Sequence, residues 1–335
     1  MPSFQEGCSA VMTASVVFMG TPFFSVPFLG ALLKSGRRVA CAVTQPDKPK
    51  GRGRKLAQSP VKESAVEHGI PVFQPKRLSD PFFIDLIRKS SPEYIVVVAY
   101  GRIVPPEILR IPEKGCINVH ASLLPEYRGA SPIQQAIIDG RTYTGVTTML
   151  MSPELDTGDI LLQEKIEIDR GDTAGSLSVK LSKIGVDLLI RTLDGLDRGE
   201  ITPMPQDHGK ATLAPLLKKE DGLIDWRDTS DNIYNKIRGL DPWPGAYTFY
   251  KGDRWGIWKA EPPNKEIDKQ IDKQLPSYTP GEIVDVQPEG IVVAAGDGAL
   301  MIREIQVVGK RKIGVVEFLR GHKVERGVIL LQFRQ

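Results

Sequence analysis

Residues 15–34 read SVVFMGTPFFSVPFLGALLK and residues 37–44 read RRVACAVT. Ser15 to Met19 is a short apolar run that stops at Gly20-Thr21-Pro22. Val26, Leu29, Leu32 and Leu33 then fall on one side of a helix, and Val39 to Thr44 reads as a second strand. Strand, turn, helix and strand in that order imply parallel pairing through a right-handed crossover. The same alternation continues outward, with strands expected at Pro71 to Gln74, Tyr94 to Ala99 and Cys116 to His120. A long helix is expected from Thr173 to Leu196, capped by Asp172, with Leu177, Leu181, Ile184 and Leu188 on one face. The first 200 residues therefore predict an open, mostly parallel α/β sheet.

The pattern changes after residue 200. Ile201 to Leu216 is rich in Pro and polar residues and reads as a linker. One helix is expected from Ser230 to Arg238. Short strands broken by Gly and Pro follow at Gly245 to Tyr250, Trp255 to Lys259, Gly281 to Val286, Ile291 to Ala294, Leu300 to Val308 and Gly327 to Leu331. That spacing predicts a small antiparallel barrel. Asn264 to Pro280 nearly repeats IDKQ and reads as a solvated excursion between two barrel strands. The expected divisions are an extension at 1–14, an α/β domain at 15–200, a linker at 201–219 and the barrel at 220–335.

Composition bounds the rest. The chain has 335 residues, 41% hydrophobic and 25% charged, with a formal net charge of +3. These are values for a folded chain with a sizeable core, not a disordered or collagen-like one. No apolar run approaches the roughly 20 residues of a membrane-spanning helix. The first residues, MPSFQEGCSAVMT, lack the basic and apolar regions of a signal peptide. Cys8, Cys41 and Cys116 are odd in number and widely spaced, which points to a reducing, cytoplasmic compartment without structural disulfides or a metal site.

Four stretches could carry chemistry. Gly20-Thr21-Pro22 lacks the three glycines of a dinucleotide fingerprint and reads as a tight turn. Gln45 to Lys62 (QPDKPKGRGRKLAQSPVK) carries Lys48, Lys50, Arg52, Arg54, Lys55 and Lys62 against the single acid Asp47. Its Gly and Pro content predicts a long loop leaving the carboxyl end of strand two, where ligands of open α/β sheets sit. Such a loop suits a polyanionic substrate. In Cys116 to Pro125 (CINVHASLLP), Asn118 and His120 alternate along a strand end and so share a face. An amide and an imidazole converging on one point suit an oxyanion formed during acyl transfer. From this stretch alone, a hydrogen-bonded core histidine is an equal reading. Cys116 has no base near it in sequence and reads as an inert strand cysteine. Finally, Glu154 to Asp159 (ELDTGD) lies between strand-like runs at Val146 to Met151 and Ile160 to Ile166. It is ordinary turn chemistry unless a carboxylate there reaches His120, where it would orient the ring and favour its charged form.

Together these residues resemble the 10-formyltetrahydrofolate-dependent formyltransferases, and within them the methionyl-tRNA formyltransferase family. The matching stretches are FMGTPFF (18–24), TQPDKPKGRGRKL with SPVK (44–62), VVAYGRIVP (97–105), INVHASLLPEYRGASPIQQAI (117–137) and TGVTTMLMSPELDTGDIL (144–161). DGLIDW (221–226), IRGLDPWPGAYT (237–248) and FLRGH (318–322) extend the likeness to about residues 15 to 330. The resemblance implies a Rossmann-like catalytic domain followed by an OB-like barrel that aids tRNA binding. It implies that Asn118, His120 and Asp156 are catalytic, and that Ser122, Leu123, Leu124 and Pro125 contact the folate donor. It also implies that Arg52 works on the tRNA acceptor end, with Lys48, Lys50, Arg54 and Lys55 around it. In the barrel, Lys310, Arg311 and Lys312 head a basic cluster for phosphate, and Trp243, Tyr247 and Trp255 are candidate stacking aromatics. The substrates would be 10-formyltetrahydrofolate and methionyl-initiator tRNA, with no metal, membrane or obligatory protein partner. Two other readings compete: a formyltransferase acting on an amino sugar nucleotide or hydrolysing formyl-folate, and a catalytically silent RNA-binding protein. The first has no need of the basic loop, and the second has no need of the trio.

Overall fold

The computed structural model describes residues 15–50, 55–262 and 278–331. The apolar run at 15–20 is strand β1 (Ser15–Gly20), buried along its whole length. It sits between β2 (Arg38–Val43) and β6 (Tyr94–Val98), parallel to both, with β5 (Val72–Phe73) parallel beyond β2 and β7 (Cys116–His120) parallel beyond β6. The chain turns back at β9 (Tyr143–Leu150), which pairs antiparallel with β7 and leaves β10 (Ile160–Glu167) at the edge. The order β10-β9-β7-β6-β1-β2-β5 reverses direction at β1 and β6. Open sheets of this kind place their ligand crevice at the carboxyl ends of such strands.

The intervening helices start where the sequence fixes φ in advance. α1 (Val26–Lys34), α2 (Pro60–Glu67), α3 (Pro81–Lys89), α4 (Pro106–Leu109) and α5 (Pro132–Ile138) each carry Pro in the first two positions. Ser59 caps α2 by accepting from the Lys62 amide (3.1 Å), and Asp80 caps α3 by accepting from Phe82 (3.0 Å). The long helix α6 spans Ala174–Asp197. Its cap is one residue later than expected: Thr173 Oγ1 accepts from the Ser176 amide and Ser176 Oγ from the Thr173 amide. Asp172 is occupied otherwise, taking bonds from Ser176 Oγ, Lys180 Nζ and the Asp169 amide.

By packing, the chain divides into two compact units that interleave along the sequence. One contains Met1–His120, Val146–Glu164 and Ser182–Gly209; the other contains Ala121–Gly145, Lys165–Leu181 and Lys210–Gln335. In the first, Val17, Met19, Val43, Ile95, Val97 and Cys116 form the apolar face under α3 and α4. In the second, α7 (Ser230–Gly239) packs beside an antiparallel sheet in the order β12 (Ala246–Tyr250), β13 (Asp253–Ala260), β16 (Ala299–Val307), β15 (Gly290–Ala294), β14 (Ile283–Gln287). The short β17 (Ile313–Gly314) pairs with β16 and runs into α8 (Val315–Leu319).

The expected last strand, Gly327 to Leu331, is reduced to bridges, but they close the barrel. Ile329 bridges Glu282 on one side and Leu331 bridges Phe249 on the other. Thr248 Oγ1 fixes the closing segment by donating to the Leu331 carbonyl (3.0 Å) and accepting from Trp226 Nε1 (3.1 Å). The excursion expected at 264–280 falls mostly outside the described residues, as does the extension at 1–14.

Candidate active site

Asn118 and His120 stand two residues apart at the carboxyl end of β7, and the pleat puts both side chains on one face. Opposite them on β9 lie Met149 and Thr147. The loop that leaves β9 brings Asp156 to the same place. Its carboxylate accepts from Asn118 Nδ2 at 3.4 Å and lies 3.7 Å from His120 Nδ1. The first contact is a long hydrogen bond and the second is an ion-pair distance just beyond one. All three side chains are buried, at 9%, 6% and 9% exposure. The alternation read from sequence is therefore met in three dimensions, and the carboxylate does reach the imidazole.

Asp156 is held against its own preference. Its φ of +53° lies in the left-handed region, which a non-glycine residue enters at a cost of about 1–2 kcal/mol. Two neighbours impose it. Gly158 is pressed on the end of β9, where an added Cβ would stand 1.7 Å from the Leu150 carbonyl oxygen. Gln206, 6% exposed, donates from Nε2 to the carbonyls of Asp156 (3.0 Å) and Gly158 (2.7 Å). Gln206 belongs to the stretch read as a linker. The segment is anchored by paired backbone bonds between Met204 and Ile160 (2.8 and 2.9 Å), and β11 (Leu213–Ala214) pairs with β8 (Arg128–Gly129). No local pattern marks Gln206; a Pro-rich polar stretch reports nothing of bonds made to a loop fifty residues earlier.

Cys116 offers no nucleophile. Burial pushes its thiol up to about 12, and that of Cys41 likewise, so both stay protonated and unreactive. The Gly20-Thr21-Pro22 turn is a packing device: Ser25 Oγ donates to the Val98 carbonyl (2.6 Å) and Thr21 Oγ1 to that of Tyr100 (3.1 Å). A Cβ at Gly20 would meet Ser25 Cβ at 2.8 Å. Among the described residues no cluster of three or more His, Cys, Asp or Glu side chains gathers to hold a metal. No described helix is long and apolar enough to cross a membrane.

Ser122 to Pro125 follow β7 directly. Ser122 is fully buried and its Oγ donates to the Glu126 carbonyl (2.6 Å), Leu124 is buried, and Leu123 and Pro125 are half-buried. The basic stretch differs from the expected loop. β3 (Lys48–Lys50) and β4 (Lys55–Ala57) pair antiparallel, and Arg52 and Arg54 lie outside the described residues, as do the side chains of Lys50 and Lys55. The Gly and Pro residues obscured a pairing that needs only three residues on each side. Lys62 is not part of the free charge, since its Nζ donates to Asp47 (2.7 Å) and Gln74 (2.9 Å) at the hairpin root. Exposed Lys48 donates to Gln45 Oε1 (2.7 Å).

In the barrel, Lys310, Arg311 and Lys312 are exposed, Arg311 is paired with Glu317, and Lys312 Nζ sits 3.3 Å from the centroid of the Trp258 ring. Trp255 is core, packed at 4.4 Å from Tyr250 and 5.5 Å from Phe318, which removes it from the stacking candidates. Trp243 is 47% exposed, and half-buried Tyr247 carries the Arg254 guanidinium 3.7 Å from its ring centroid. Trp258 was missed, although Trp255 and Trp258 both stood in the predicted strand.

The formyl transferase family profile matches residues 14–193, and that of the formyl transferase C-terminal domain matches residues 216–323. A methionyl-tRNA formyltransferase of Lachnospira eligens is 47% identical over 315 residues, covering 94% of this chain and 99% of that protein. Among solved structures, HypX from Aquifex aeolicus in complex with tetrahydrofolic acid shares the fold, with a TM-score of 0.63 at 19% identity, over 94% of this chain and 50% of that one. The sugar 3N-formyl transferase WlaRD does so as well, with a TM-score of 0.62 at 17% identity, over 90% of this chain and 99% of that one. A profile match over more than half of the chain and a near full-length relative at that identity agree: the chain belongs to the methionyl-tRNA formyltransferase family.

Proposed function

We propose that this chain transfers the formyl group of 10-formyltetrahydrofolate to the α-amine of methionyl-initiator tRNA, working in the cytoplasm at the start of translation. The convergence of Asn118, His120 and Asp156 at the end of β7, three buried polar side chains without a nucleophile, carries the chemical half of the proposal. The substrate half rests on what the Lachnospira eligens relative is named for.

In this mechanism the amine nitrogen attacks the formyl carbon directly, so no acyl-enzyme forms. The carbonyl oxygen takes up negative charge as the carbon becomes tetrahedral. Asn118 and His120 donate to that oxygen, the kind of stabilisation worth about 3–4 kcal/mol per donor elsewhere. Asp156 faces the Nδ1 side of His120, the ring serves as a donor to the oxyanion, and the carboxylate draws the proton from the attacking amine. As the new C–N bond forms, the bond to N10 of the folate breaks, and the proton lost by the amine ends on N10. Ser122 to Pro125 would border the donor, with Leu123 and Pro125 as its accessible members.

The proposed division of labour assigns catalysis to residues 15–200, joined by 201–219 to a tRNA-binding barrel at 220–335. Basic residues on the hairpin (Lys48, Lys50, Arg52, Arg54, Lys55) and on the barrel (Lys310, Arg311, Lys312) would contact tRNA phosphates, which makes binding salt-sensitive. The test offers the formyl donor with methionyl-initiator tRNA, free methionine and an amino sugar nucleotide in parallel. Transfer to the tRNA alone is the expected result. Faster transfer to the sugar would overturn the substrate assignment while leaving the chemistry intact.

A further inference from the structure

We propose that Gln206 is a positioning residue for the reaction, acting through the backbone of Asp156; the inference rests on the role given to Asp156 above. Three observations meet at one loop. Asp156 holds a left-handed φ of +53°. Gln206 donates from a single buried amide to two carbonyls that follow that strained bond, Asp156 at 3.0 Å and Gly158 at 2.7 Å. The backbone that carries Gln206 is itself tied to the start of β10 through the Met204–Ile160 bridge.

The chemistry of the pair selects glutamine. Two carbonyl oxygens two residues apart need two donors from one direction, and a side-chain NH₂ is the only neutral group that supplies them. A leucine fills similar space and leaves both carbonyls without this donor. A glutamate, when ionised, turns acceptor oxygens toward two acceptors, and when protonated restores a single donor. The two bonds of Gln206 fall on the backbone that carries Asp156, so its proposed effect passes through where it sets the Asp156 carboxylate. That carboxylate has little latitude. At 3.4 Å from Asn118 and 3.7 Å from His120, a shift of an ångström either way breaks the constellation.

The experiment compares the full-length parent with Gln206→Leu, Gln206→Glu, Asp156→Asn and the double variant Gln206→Leu/Asp156→Asn in formylation of methionyl-initiator tRNA. Gln206→Leu is expected to lower kcat about 10- to 100-fold, the scale of a 1 Å misplacement, with KM for both substrates within about threefold (roughly 0.65 kcal/mol). In the Asp156→Asn background the same change should cost nothing further, because the group it positions is gone. Multiplicative losses would overturn the inference and leave Gln206 a general structural part. Gln206→Glu supplies a readout that loss of stability does not reproduce: its activity relative to the parent should rise as pH falls from 8 to 6 and the buried carboxyl takes up a proton. A flat ratio across that range would count against the inference. An active Asp156→Asn removes both this inference and the role of Asp156. A crippled Asp156→Asn beside a Gln206→Leu within threefold of the parent removes this inference alone.

Discussion

Gly158→Ala tests the site through space alone. The substitution adds one methyl group, alters no charge and removes no hydrogen bond. The new Cβ would stand 1.7 Å from the Leu150 carbonyl oxygen and 2.9 Å from its carbon, where real Cβ contacts stay beyond 3.0 Å. The two groups must therefore separate by roughly 1.3 Å before the chain can close. Leu150 cannot yield easily, because it is the last residue of β9 and its amide is bonded to the Asp159 carbonyl (2.9 Å). Displacement falls on the loop, two residues from Asp156. Moving the carboxylate by an ångström from 3.4 and 3.7 Å contacts gives an expected loss of about 10²-fold in kcat, equivalent to about 2.7 kcal/mol. The assay is single-turnover formylation of methionyl-initiator tRNA at saturating donor, with circular dichroism to confirm the fold. KM for tRNA should hardly move, since the hairpin and the barrel cluster are untouched. A folded variant with kcat within threefold of the parent would refute the claim that the seat of Gly158 sets the position of Asp156.

Four further outcomes follow from named contacts. Asp156→Asn keeps the shape but removes the charge beside His120, and should lower the rate about 10²- to 10⁴-fold with folate binding nearly unchanged; measured kcat with donor affinity by fluorescence titration decides it. Arg52→Ala should raise KM for tRNA while leaving donor affinity alone, and an equal loss of affinity for both would assign the basic stretch to the folate site instead. In a Cys8→Ser background the native protein should show no thiol reactive toward an aromatic disulfide at pH 8, since burial pushes Cys41 and Cys116 up to about 12, while denaturation should release two. Asp197→Asn should cost about 2 kcal/mol at pH 7, the worth of hydrogen bonds to a charged group, because burial raises the carboxyl but bonds from Lys114, Arg37 and Tyr94 outweigh it and hold it low. That stability is present above the unfolded value of about 3.9 and lost as pH falls through the lower folded one, so parent and variant should begin to converge only as pH falls below about 4 in thermal melts.

How much of this was legible depended on whether the deciding interaction was local. The strand at Cys116 to His120 was placed to the residue, because an apolar run ending in alternating polar side chains has one natural reading in a buried sheet. The facing of Asn118 and His120 followed from the same periodicity. Apart from the family resemblance, Asp156 could be suspected only as a carboxylate in a turn; its approach to His120 needs the fold of the β9–β10 connection. The cap of α6 was displaced by one residue because Asp172 and Thr173 are both good caps, and only the demand of Lys180 for Asp172 (2.7 Å) settles which is spent elsewhere. The hairpin at Lys48–Ala57 and the Gln206 segment were misread for one reason. Gly and Pro content describes what a backbone is free to do, and neither the short local pairing of β3 with β4 nor the bonds of Gln206 to a loop fifty residues earlier is written in it.

The same distinction bears on where the chain can be cut. The likeness to two family profiles, meeting between residues 193 and 216, invites a truncation near Ala214 that would leave the trio and the parallel sheet intact. Packing argues otherwise. Residues 121–145 cluster with the barrel and not with the sheet that precedes them. Within that unit Gly239 of α7 is so close to α5 that an added Cβ would lie 2.8 Å from Ile138 and 3.2 Å from the Gln134 carbonyl. Ala214 itself accepts from the amides of Ala130 and Ser131 (2.8 and 3.2 Å). A chain ending at Ala214 would strip α7 from the face of α5, exposing buried Ala136 and Ile137 close after the segment proposed to hold the formyl donor. Loss of tRNA use by such a fragment would then report a damaged unit as readily as a missing phosphate contact. The barrel's electrostatic contribution is separable only in the whole chain, by neutralising Lys310, Arg311 and Lys312 where they stand exposed, because three surface charges can be removed without uncovering any of the core.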